Sequence, residues 1–598
     1  MPKADEIHIR QQADQSLRRG DARQALALYR ELLGHKSEGS HYQAWLAGAA
    51  MSYLALNRKR EAGYVLLALR RYAEAQRYFP AAEHPLEWAF CASRLGRHGE
   101  AARVFSESGH PALAAMELEA AGAGAAARLE WERVLRDPRL SGKPYETALA
   151  HFNLGGALTR LGDRAGGEHQ LAIASRMLEA AADDLETAGE ALRAFDCYVV
   201  ILRLGKDLGS FETVAEGYLN MIRLVIANDN VRAVQYYDDF MHYAVEQKEW
   251  YAAATLAREV AEHCLRVGLV WDRHYQARAA ELWLETARAN QAAGGPVDLS
   301  ANALQAAIDA ASVLGDFALA GRIYADLAEL PLPDVRRQRY RSLARRYESE
   351  PTPNGPLPPF PDVMRRTESY QDVWRQDLVE WELDGDPIPV LARLLAEDDR
   401  LAYVRTAVQA ILKCADAGFT LADPVVAADL AIALGRVQSY VVLRPLERLF
   451  EHADPRVRIG VLRGLALVWN TRALEVVRKA LADPEPAVVE QVLALLRGVD
   501  YIDGLSPLTR VFRESSDERV RLAALEGVAT IGKSSPAQAA LVLLDAARQE
   551  TGAIQKTAVA RLQALRGDEV AALLRQARDA EMGDRREVFD QILKAVAR

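Results

Sequence analysis

The residues most open to a chemical reading are Gly527-Val528-Ala529-Thr530-Ile531-Gly532-Lys533-Ser534. They fit Gly-x-x-x-x-Gly-Lys-Ser/Thr, a pattern whose backbone N–H groups surround nucleotide phosphates while its lysine reaches them. The apolar run Leu541–Leu544 ends in Asp545, which imitates the acidic partner of such a loop. That chemistry needs a strand, then the loop, then a helix opening on the phosphates. The flanking residues predict something else. Gly527 falls inside an apolar helical rhythm that starts near Val520, and Gly532 falls where a helix-ending glycine is expected. Asp545 follows too closely for a crossover unit. The motif therefore predicts a piece of helix, with Lys533 on its end.

Other reactive residue types are scattered. The twelve histidines include no His-Glu-x-x-His and no paired metal spacing. His35 and His41 fall in an apparent loop. His263 and Cys264 are neighbours on a helix, so they point apart. Cys91, Cys197, Cys264 and Cys414 lie far apart without a Cys-x-x-Cys pair, which predicts reduced, packed thiols. No Gly-x-Ser-x-Gly occurs. No catalytic, cofactor-binding or metal-binding residue is assigned, and an enzyme is not expected.

One stretch is strongly basic. Asp334–Glu348 carries Arg336, Arg337, Arg339, Arg341, Arg345 and Arg346 with Tyr340 and Tyr347 between them. Arginine with interleaved aromatics can meet an acidic protein or a nucleic acid. It can equally be the solvated face of a helix that closes an array. The chain as a whole is acidic, at −9 over 598 residues, so a general attraction to nucleic acid or anionic membrane is not expected.

These residues must be held by helices. Half the chain is hydrophobic, 26% is charged and only 7% is aromatic, with Ala and Leu dominant. No run approaches the ~20 apolar residues of a membrane span, and Met1–Arg10 has no apolar signal core, so a cytoplasmic location is expected. Arginine outnumbers lysine, which suits a GC-rich bacterial genome. The stretch Pro351–Pro361 has six prolines in eleven residues and must interrupt helices. At ~3.1 Å per residue it would reach at most about 34 Å. It could also offer Pro-x-x-Pro ligands, but a spacer is expected. Trp374 and Trp381 follow in an amphipathic segment and should anchor the first helices of what comes next.

Before the spacer, a turn recurs. Gly20, Gly96, Gly162 and Gly315 are followed at +5 by Ala25, Ala101, Gly167 and Ala320. At +9 come Tyr29, Phe105, Leu171 and Tyr324. A second helix then meets the first at a small side chain. Ala75 and Phe79 keep the small-to-large spacing, but Gly63 is too far back to supply the turn. The pattern resembles the tetratricopeptide repeat, best over Ala148–Ala181. Markers are sparse over Asp183–Gln305, although Val214–Ile226 and Trp250–Val267 keep a helical rhythm. The resemblance implies a superhelical groove for peptides, with Asn153 at a groove-facing position.

After the spacer the repeat is plainer. Val426, Val457, Val488, Val520, Ile554 and Val588 stand 31, 31, 32, 34 and 34 residues apart. Apolar residues follow each at +4, +5 and +8, which draws one stripe along a helix. Asp423, Asp454, Asp483, Asp517 and Asp584 precede them as candidate caps, and Pro424, Pro455 and Pro484 follow at the first helical position. Asp454-Pro455-Arg456-Val457-Arg458 and Asp517-Glu518-Arg519-Val520-Arg521 resemble the HEAT repeat, in the short form also seen in bilin lyases. A looser copy runs from Asp399 to Tyr403-Val404-Arg405.

The expected fold is all-α, two α-solenoids: a tetratricopeptide-like array over 1–348, a linker over 349–361 and a HEAT array over 362–598. The expected role is a non-enzymatic adaptor holding proteins or peptides on its concave faces, with Asn153, Arg336, Arg337, Arg339, Tyr340 and Arg341 as candidate partner-binding residues. Alternatives are a nucleic-acid-binding HEAT protein, a nucleotide-binding protein acting through Lys533, and a lyase-type HEAT enzyme.

Overall fold

The computed structural model describes residues 4–35, 39–269, 271–348, 373–397, 401–437, 440–468, 471–500 and 504–596. Among these residues every regular element is a helix and there is no strand, so the chain is all-α as expected. Helices pack on their chain neighbours in series, the arrangement of an α-solenoid. No described helix is long and apolar enough to cross a membrane. The spacer at 349–361 lies outside the described residues, as does Asp399.

By its packing the chain forms two compact units. One is Met1–Cys197 with Gln371–Val499, and the other is Tyr198–Tyr370 with Asp500–Arg598. Each unit takes helices from both sides of the spacer. In the first unit a single apolar core runs through Ala25, Tyr53, Phe79 and Phe105 and continues into Leu391, Ile411, Leu434 and Val461.

The turns before the spacer are conformational devices. Gly20, Gly96, Gly162 and Gly315 sit at φ of 83°, 75°, 87° and 74°, which glycine adopts freely and other residues resist. Asp21, Asp163 and Asp316 follow three of them and cap the next helix, each accepting from an N–H three residues on at 3.1, 2.9 and 2.9 Å. The small residues at +5 are buried, and large ones pack beside them. Tyr29 lies against Gly48, where a Cβ would meet its ring at 2.1 Å. The hairpin at Ala75 also has its turn: Arg70 supplies it at φ 60°. Asn57 and Lys248 do the same at 58° and 62°, followed at +5 by buried Ala62 and Ala253.

The valine-led stripe after the spacer packs inward. Val457, Val488, Val520 and Ile554 are buried, and so is every +4 and +8 residue of the six copies. The ends depart from the rule. Val426 is half-buried while Ala427 beside it is buried. Val588 is exposed and Phe589 beside it is buried in its stead. Asp423, Asp454 and Asp517 cap as expected, accepting from the N–H two residues on at 2.9, 2.8 and 2.8 Å. At the third repeat the helix begins at Pro486, one proline later than expected. Asp483 there accepts from the Glu485 N–H, so Pro484 remains outside the helix. The helices Pro424–Val437 and Pro455–Leu465 cross at glycines: a Cβ on Gly435 would lie 2.1 Å from the Gly464 carbonyl.

Candidate functional site

The most unusual chemistry lies within the first unit, on the helix Val373–Glu382. Its last six residues read Asp377-Leu378-Val379-Glu380-Trp381-Glu382. Leu378 and Val379 are fully buried, as a helix in a core requires. Yet Asp377, Glu380 and Glu382 are only 4%, 1% and 1% exposed. Carboxylates are almost never fully buried without partners.

Two of the three are well partnered. Glu382 accepts from the N–H groups of Ala112 and Leu113 at 2.7 and 2.9 Å. Those are free N–H groups at the start of helix Pro111–Ala120, so Glu382 caps that helix from far along the chain. Arg139 lies over the Trp381 ring at 5.1 Å and donates to the Glu382 carbonyl. Trp381 is buried, and the partner shown for it comes from before the spacer and not from the helices that follow. Asp377 accepts from the hydroxyls of Tyr145 and Tyr440 at 3.0 and 3.1 Å and from Arg472 Nη1 at 3.0 Å. Arg472 also donates to both Glu447 oxygens at 2.6 Å. Burial opposes the Arg472 charge, but Tyr440, Glu447 and Asp377 more than offset it.

Glu380 differs. Neither of its oxygens accepts a hydrogen bond among the described residues, and Arg393 Nη1 stands 3.6 Å away. Arg393 Nε turns instead to Glu397 at 3.1 Å. Burial pushes the Glu380 carboxyl up to about 8, the Asp377 charge adds to this, and Arg393 opposes it. Burial likewise raises Glu382 to about 7, against the pull of its two N–H partners. Asp196, part-open to a narrow cleft but enclosed by protein, rises to about 7 through burial and then the Asp377 charge.

That cleft is lined by Tyr145, Glu146, Arg193, Asp196, Arg444 and Arg472 among others and leaves about 30 Å³. It can hold roughly two waters, so it has no room for a nucleotide. What these groups can do is bind and release protons at a packed helix junction.

The residues singled out from sequence lie elsewhere and apart. Gly527 is buried inside helix Glu518–Ile531, with Gly532 at its end and Lys533 exposed. Asp545 lies within helix Pro536–Gln549 and pairs with Arg513 at 3.1 Å. The strand that phosphate binding requires is replaced by helix. Asn153 is buried and donates to the Leu149 carbonyl of its own helix at 2.8 Å. Arg336, Arg337, Arg339, Tyr340 and Arg341 lie together on helix Asp334–Glu348 in the second unit. Arg336, Arg339 and Arg341 are exposed, and Tyr340 stacks on Tyr324 with ring centres 6.2 Å apart. All four cysteines are buried and unbridged. His41 is in helix Gly39–Ala55, where a loop was expected. Among the described residues no cluster of His, Cys, Asp or Glu could hold a metal ion.

No curated protein matches this chain. Among solved structures, a chain of the Naa15/Naa10 assembly bound to HypK-THB is 12% identical, with 99% of this chain and 100% of that one covered and a TM-score of 0.20. The UNC-45 chaperone, which binds and folds muscle myosin, is 13% identical, with 99% and 67% covered and a TM-score of 0.16. Scores this low supply no function. Residues 418–497, which hold the Asp454–Arg458 motif and the stripes led by Val426, Val457 and Val488, match the family model of HEAT repeats.

Proposed function

We propose that the chain is a non-enzymatic scaffold that holds protein or peptide partners. In this reading 1–348 is a tetratricopeptide-like array, 349–361 a linker and 362–598 a HEAT array of the short, bilin-lyase-like type. The supporting observation is helix Asp334–Glu348. Its aromatic side packs inward, with Tyr347 against Phe317 and Tyr324 at 5.8 and 5.4 Å and Ala344 buried. Its other side presents arginine to solvent, six arginines against two acids on one helix of an acidic chain. The pairs Arg336–Asp298 and Arg341–Glu329, at 3.7 and 3.8 Å, are exposed. Such pairs contribute about 0–1 kcal/mol and yield readily to a better partner. An acidic protein segment is the complementary partner.

The test uses the full chain carrying Arg336→Glu, Arg339→Glu and Arg341→Glu together. Proteins captured from the native host by wild type should be lost selectively, and binding of each should be repeated with purified protein. Thermal melting should stay within about 2 °C, since these side chains are exposed. Retention of the same partners removes this helix as the surface, and absence of any reproducible partner removes the scaffold reading. Nucleic acid is the competing occupant of the same arginines. DNA and RNA affinity falling steeply with salt would favour it.

A further inference from the structure

The unpartnered carboxyl of Glu380 sits at a junction of helices that are distant in sequence. On its own helix it has Asp377 and Glu382 as neighbours. The helix Pro387–Glu397 places Arg393 against it, with Glu397 competing for that arginine. Glu117, from helix Pro111–Ala120, also acts on Arg393. Arg444 and Arg472 act on Glu380 from two further helices, and Glu447 already occupies Arg472. Every nearby cation is therefore committed to another acid or stands beyond hydrogen-bond reach. A charge on Glu380 would be dry and without a hydrogen bond, offset only in part by Arg393 at 3.6 Å. With a proton it still lacks a hydrogen bond but carries no charge, the smaller cost in a core.

We propose that helix Val373–Glu382 is a proton-held latch, docked on helices Pro111–Ala120 and Pro144–Arg160 while Glu380 keeps its proton and loosened when that proton leaves. Undocking would free the Ala112 and Leu113 N–H groups, Arg139 and Tyr145. This inference is independent of what the scaffold binds.

The direction follows from linkage. A solvated Glu titrates near 4.5, and the docked carboxyl does so near 8. The latch is thus tightest below pH 4.5 and weakens as pH rises toward 8, beyond which both states are ionised. Within that window one such group multiplies the opening constant roughly tenfold per pH unit. Glu382 and Asp196 act in the same direction.

The experiment is hydrogen exchange by mass spectrometry on the full chain at pH 5.5, 6.5 and 7.5, corrected for intrinsic amide rates. It reads the amides of Ala112, Leu113 and 378–382. Wild type should open at least ~100-fold more at pH 7.5 than at 5.5, and Glu380→Gln should lower the slope of log opening against pH by about 1. Protection in helix Pro424–Val437 should stay constant. A wild-type slope of zero overturns the latch without any variant. An unchanged slope in Glu380→Gln also overturns it. Should that variant fail to fold, Glu380→Met, apolar and of similar length, is read in the same way.

Discussion

The hairpins before the spacer and those after it turn the chain by different means. Before it, the turn depends on a backbone conformation: a residue at positive φ, usually glycine, often followed by a capping aspartate. After it, positive φ recurs at Gly418, Gly552, Gly567 and Gly583, but the repeats led by Val457 and Val520 add side-chain bonds. Asp454 caps its own helix, and Arg458 of the same motif reaches the Asp483 carboxylate of the next repeat at 2.7 and 2.9 Å. Arg521 repeats the move on Glu550. The first device is local and replaceable. The second ties the repeats led by Val457 and Val520 each to the one after it and demands specific residue types.

The comparison can be broken most severely at the seam. Val457→Asp would bury an unpaired charge between repeats, at a loss of ~3 kcal/mol or more, read as a lowered denaturation midpoint. An unchanged midpoint would refute the register. Asp483→Ala removes the acceptor of the Glu485 N–H and leaves Arg458 with only the His452 and Ala453 carbonyls, so about 1 kcal/mol should be lost. A smaller effect of opposite sign is expected before the spacer. Lys248→Gly relieves a strained φ of 62° at an exposed position and should stabilise by about 0.5–1 kcal/mol. Destabilisation there would mean that the lysine side chain, and not the turn, is what the hairpin uses.

The same contrast explains what could be read in advance. The HEAT register was legible because its turn chemistry is written in Asp, Pro and Arg at fixed offsets. The earlier hairpins were legible where glycine made the turn and lost where Asn57, Arg70 or Lys248 did, since arginine and lysine rarely adopt positive φ and a lone asparagine signals it less strongly than glycine. Sequence reading missed the buried acids altogether. In sequence Asp377, Glu380 and Glu382 look like ordinary solvated charges of a helix. Only their partners reveal otherwise, and Ala112, Arg139, Tyr145 and Arg472 lie roughly 90 to 270 residues away. Lys533 shows the opposite failure, a motif complete in letters whose backbone is helical throughout.

The capping of Ala112 and Leu113 by Glu382 has a practical consequence for anyone dividing the gene. Cutting at the prolines, the obvious place, would strip an end-cap from the upstream fragment and leave Glu382 and Trp381 of the downstream one without their partners. Poor behaviour of either piece would then report the cut, and reveal nothing about what the intact molecule can bind.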